Sequence, residues 1–99
     1  MIPSYLTSTL ELLRVAFSAG ISDSEYLPLL AALHPHMSDR NLAVVVADFT
    51  GKDPGIVQND VYKAAAGGAA SAEAVAAVQS KLDAAGFVAW VKSEDEEGS

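Results

Sequence analysis

Glycine or proline interrupts this chain at Gly20, Pro35, Gly51, the Gly67–Gly68 pair and Gly86, and no interval between these stops exceeds about five helical turns. The pattern inside each interval therefore decides the fold. In the first, Pro3 suits an opening helical position, and Leu6, Leu10, Leu13 and Phe17 recur at helical steps before Gly20 can end the element in a left-handed conformation. The second begins ISDSEY: Ser22 and Glu25 have the spacing of a capping box, and Ile21 and Tyr26 that of a hydrophobic staple. Leu27, Leu29, Leu30 and Leu33 supply its apolar surface. Pro28, beyond the first turn, predicts a kink or a second start, and Pro35 disfavours helical geometry at His34.

Ser38 caps a third helix in which Leu42, Val45, Val46 and Phe49 recur at helical spacing up to Gly51. The β-branched run Val44–Val46 suggests a strand, but polar and apolar residues do not alternate around it, and the cap, spacing and glycine agree on a helix. Asp53 with Pro54 opens a fourth helix that turns Ile56, Val57, Val61 and Ala64 inward, and Gly67 and Gly68 break it. A fifth runs from Ser71 through Val75, Val78 and Leu82 to Gly86. The remaining apolar run, FVAWV, is short for a helix and reads as an extended strap across the bundle.

Size and charge narrow the functions open to such a bundle. Ninety-nine residues, 51% of them hydrophobic, suit one domain burying roughly 65% of its unfolded surface. The absence of cysteine excludes disulfides, thiolate zinc sites and thiol nucleophiles. No apolar run reaches the roughly 20 residues of a membrane span, and MIPSYLTSTLELLRV lacks the basic start of a signal peptide, so a soluble cytoplasmic protein is expected. Net charge is −7, of which Glu94, Asp95, Glu96 and Glu97 account for four. An acidic chain disfavours nonspecific polyanion binding, which draws on lysine and arginine. The acidic end reads as a disordered tail over 92–99, leaving a domain over 1–91.

Both histidines stand in LHPHMSDRN. At i and i+2 across Pro35 they share no helical face, so a metal site would need a bent turn bringing in Asp39 and Asp48 or Asp53. The structural alternative places His34 near the C-terminal carbonyls of helix two and His36 in an exposed loop. No metal, cofactor or catalytic residue is assigned. Ser22, Ser38 and Ser71 have capping duties, none lies in a strained nucleophile turn, and Gly67–Gly68 lacks the phosphate-loop pattern. The chain reads as a non-enzyme.

Two interaction surfaces remain. Ala47, Gly51 and Val57 fall at the contact, turn and second-helix core positions of a helix-turn-helix, making helices three and four, about 38–66, the alternative nucleic-acid-binding reading. Its reading helix offers Gln58, Asn59 and Lys63, but Asp53 and Asp60 oppose the single lysine against phosphate. The other is a protein-partner surface. Tyr5, Tyr26, Tyr62 and Trp90 are side chains of the kind enriched in interfaces, and Tyr62 and Trp90 are its candidates.

The runs LRVAFSAGISDSEYLPLLAALH, LAVVVADF, NDVYKAA and LDAAGF together resemble a small actinobacterial family known as a domain of unknown function, family 3349. The resemblance runs from about Tyr5 to Phe87, and its most specific part is Gly20 followed by EYLPLL at Glu25–Leu30. It implies a five-helix bundle without an established activity, ligand or catalytic residue. The sequence departs from it where Val88, not proline, follows Phe87 and an acidic end is added. The expectation is thus an all-α, compact, monomeric bundle of five short helices with a C-terminal strap and acidic tail, acting as a non-catalytic interaction or regulatory module.

Overall fold

Three predicted caps form as hydrogen bonds. Ser38 Oγ accepts from the Asn41 amide at 3.2 Å, Asp53 Oδ1 from Gly55 at 2.8 Å, and Ser71 Oγ from Ala74 at 3.1 Å. They start α3 (Asp39–Thr50), α4 (Pro54–Ala65) and α5 (Ala72–Ala84), after α1 (Thr7–Ala16) and α2 (Asp23–Leu33). A computed structural model describes residues 6–66 and 71–98, with side chains through Lys92. Pro3, Tyr5 and the Gly67–Gly68 break lie outside the described residues.

Among the described residues there are six α-helices and no strand, and the sixth overturns the expected strap. FVAWV opens α6 (Phe87–Gly98), which continues into the acidic segment for which a disordered end was expected. Gly86, at φ +104°, turns the chain, and its carbonyl accepts from the Trp90 amide at 3.0 Å. Phe87, Trp90 and Val91 then share one face at i, i+3 and i+4, Phe87 and Trp90 buried and Val91 packed against the core. Tertiary burial supplies what five residues lack in intrinsic helix stability.

Helices α1–α5 close a ring in which α2 packs on α4, α4 on α3, α3 on α1, α1 on α5 and α5 on α2; α6 lies over the edge between α1 and α5. Among the described residues the count is therefore six helices where five were expected, five in the ring and α6 on its edge. Its interior is filled by Leu13, Leu29, Leu30, Leu33, Leu42, Val45, Val46, Val57, Val61, Val78 and Leu82. The Cα radius of gyration, 12.4 Å, matches the ~13 Å of a single 100-residue globule.

Three local expectations need correction. Ile56 faces outward and is 56% exposed. Val57, Val61 and Ala64, at i, i+4 and i+7, fix the inner line of α4, and Ile56 stands about 100° off it. Pro28 neither splits α2 nor restarts it: the helix is continuous, and the buried ring merely forgoes the bond to the Ser24 carbonyl. Pro35 ends the α-helix but not the winding. His34 is right-handed helical, and one 3₁₀ turn, His34–His36, leads to Ser38.

Candidate functional site

The EYLPLL segment is where the polar groups of the bundle meet. Glu25 Oε1 accepts from the Ser22 amide at 3.2 Å and the Ser22 hydroxyl at 2.9 Å, so the capping box forms with its serine donating. The other carboxylate oxygen pairs with Lys81 of α5. The Lys81 hydrogen bond, followed by that from the Ser22 amide, holds the Glu25 carboxyl below the usual carboxylate range. One residue on, the Tyr26 hydroxyl donates to Asp60 Oδ2 of α4 at 2.7 Å. Burial and that bond push the Tyr26 phenol above its ordinary value. Adjacent residues thus tether α2 to two neighbours, while Leu29 and Leu30 of the same motif are wholly buried. Lys52 stands over the Tyr26 ring, 4.9 Å from its centroid, and Lys81 over Phe17 at 5.5 Å.

Beside this hub a cleft of about 370 Å³ opens between the α1–α2 connection and the end of α3. Ile21, Tyr26 and Phe49 give it apolar walls, and Ser22, Asp23, Thr50 and Lys52 its polar rim. Ile21 and Tyr26, the expected staple pair, both line it. Thr50 is committed to the fold: its hydroxyl donates to the Val46 carbonyl at 2.7 Å and accepts from the Lys52 amide at 3.3 Å.

The two histidines point to different partners. His34 Nε2 lies 3.0 Å from Asp39 Oδ1, linking the end of α2 to the first turn of α3. His36 is exposed, yet its ring meets Phe87 edge-on at 5.2 Å and lies 6.4 Å from Trp90. It is therefore part of the seat of α6 as well as a loop residue. Among the described residues no three His, Cys, Asp or Glu groups converge as metal ligands.

Of the partner-surface candidates, Tyr62 is 51% exposed on α4, and its hydroxyl accepts from Gln58 Nε2 at 3.1 Å. Trp90 is 6% exposed, and its indole donates to the buried Thr9 hydroxyl at 3.1 Å, so it joins α6 to α1 inside the protein. The predicted corner is present: Ala47 and Val57 are buried and Gly51 caps α3 at φ +79°. Outside it, Asn59 is exposed and Lys63 lies 3.8 Å from Asp60. Sequence reasoning missed the Asp60 and Lys81 tethers and the Asp23–Lys52 rim, which join residues far apart in the chain; only the capping box marked Glu25 beforehand.

Ring, hub and cleft define a small all-α domain organised around α2, with no helix among the described residues long and apolar enough to cross a membrane. The family model described as a protein of unknown function (DUF3349) matches residues 4–90, and the chain belongs to that family. No curated protein and no solved structure matches it.

Proposed function

We propose that this DUF3349 protein is a cytoplasmic, monomeric, non-catalytic interaction module that binds a protein partner through the outer face of α4. The observation that supports this reading is the exposure of two large apolar side chains, Ile56 and Tyr62, by more than half on one helix. The polar residues Asn59 and Lys63 lie between them on the outer face of α4 and Gln58 beside Tyr62, adding hydrogen-bonding capacity to the apolar contacts. Net charge of −7 favours a partner of basic character, steered electrostatically to that face. Trp90, being interior, has no part in it. A non-catalytic role accords with Ser38 and Ser71 acting as helix caps and Ser22 bound to Glu25.

Affinity capture from the native cell with wild type and the Ile56→Ser/Tyr62→Ala double variant tests the proposal. Both positions are solvent-facing, so the variant is expected to fold as wild type, checked by circular dichroism. A partner retained by wild type and lost from the variant supports the reading; the same proteins on both overturn it. The α3–α4 corner supports a second reading, duplex DNA binding by Gln58, Asn59 and Lys63. It requires retardation of duplex at ~50 mM salt that weakens on Lys63→Ala; no retardation there removes it.

A further inference from the structure

The cleft beside Tyr26 carries two opposite charges that do not meet. Asp23, at the first position of α2, and Lys52, in the α3–α4 connection, both line it. Among the described residues neither has an ion-pair partner; the Lys52 ammonium rests only on the Tyr26 ring. The other rim hydroxyls are engaged, Ser22 with Glu25 and Thr50 with Val46. The side-chain charges of the cleft left without an ion-pair partner are thus one anion and one cation lining the same space, over walls of Ile21, Tyr26 and Phe49. Its volume, about 370 Å³, falls at the lower end of the ~300–1,000 Å³ of small-molecule sites, suiting a molecule far smaller than a nucleotide cofactor.

We propose that this cleft binds a small zwitterion of amino-acid type, its ammonium on Asp23, its carboxylate on Lys52 and an apolar side chain against Ile21 and Phe49. A lone anion would meet the Asp23 carboxylate and a lone cation the Lys52 ammonium, so each single charge is opposed by one wall. A molecule bearing both signs satisfies both walls. The apolar side chain follows from the aromatic and aliphatic surface left between them. Lys52 keeps its place over the Tyr26 ring, which presents the ammonium without the freedom of an unsupported lysine.

The test titrates the full chain with L-leucine and L-phenylalanine, and with phenethylamine and 3-phenylpropionate, which lack the carboxylate and the ammonium respectively. Amide resonances of Gly20–Asp23 and Thr50–Lys52 are expected to shift saturably with an amino acid, and at least ~10-fold more weakly with either single-charge analogue. Asp23→Asn and Lys52→Gln should each weaken amino-acid binding by ~10-fold in proteins that fold as wild type, because neither side chain holds another charged group in place. No shift up to ~10 mM, equal binding of a single-charge analogue, or unchanged affinity in both variants overturns the proposal.

Discussion

The Tyr26 hydroxyl reaches Asp60 at 2.7 Å, joining α2 to α4 across thirty-four residues. The acceptor is a carboxylate with only 18% of its side chain exposed, so the bond belongs to the stronger, charge-assisted class. Tyr26→Phe keeps the buried ring and removes the donor. It should lower unfolding stability by about 2 kcal/mol, read from the urea midpoint. A change below ~0.5 kcal/mol would mean that Asp60 is satisfied by Lys63 and water alone.

The same tyrosine gives the protein an alkaline limit. Its folded-state pKa lies above the unfolded value of about 10, so the unfolded chain loses its proton first as pH rises. The contribution is complete below pH ~10 and declines as pH climbs from there towards the folded pKa. The gap between the urea midpoints of wild type and Tyr26→Phe should therefore be smaller at pH ~11 than at pH 8. A constant difference across that interval would contradict the linkage.

Glu25 works in the opposite direction. Its folded pKa is depressed, so its contribution is present above the unfolded value of about 4.3 and lost as pH falls through the folded one. Glu25→Gln should cost about 1 kcal/mol at pH 7, combining a weakened cap with a partly exposed ion pair. Added salt should reduce the ion-pair part, and wild type and variant should converge as pH falls through the depressed folded value.

Local signals carried most of the fold. Ser38, Asp53 and Ser71 act within three residues of themselves, and Leu6, Leu10, Leu13 and Phe17 declare a buried face by spacing alone. Contacts that reach across the chain leave no such mark: Glu25 to Lys81 spans fifty-six residues and Trp90 to Thr9 eighty-one. Helix α6 was hidden for a related reason. Its acidic composition resembles a solvated end, whereas its helix rests on Phe87 and Trp90 packing onto α1 and α5. Ile56 shows the limit of apolar periodicity when two adjacent residues, Ile56 and Val57, both fit the pattern and only one can face the core.

Gly51 holds φ +79°, where open space surrounds an added Cβ but the backbone conformation itself disfavours an L side chain. Gly51→Ala should therefore cost about 1 kcal/mol through strain alone, without disturbing the core. Thermal unfolding checks the cost, and unchanged Trp90 fluorescence checks that packing is intact. An unaffected midpoint would show that the α3–α4 corner can relax into another conformation.

The indole of Trp90 donates to the hydroxyl of Thr9 in the interior, and their bond is a polar link between α6 and α1. Thr9→Val preserves shape and removes the acceptor, stranding a buried N–H at a cost of about 1–3 kcal/mol. Trp90→Phe removes the donor but also the volume of the larger ring, so it confounds bonding with packing. The double variant separates them: if the hydrogen bond matters, Thr9→Val should cost markedly less in the Trp90→Phe background than in wild type. Equal costs in both backgrounds would assign the effect to packing around Thr9. Such a result would leave α6 held to α1 by apolar contact alone.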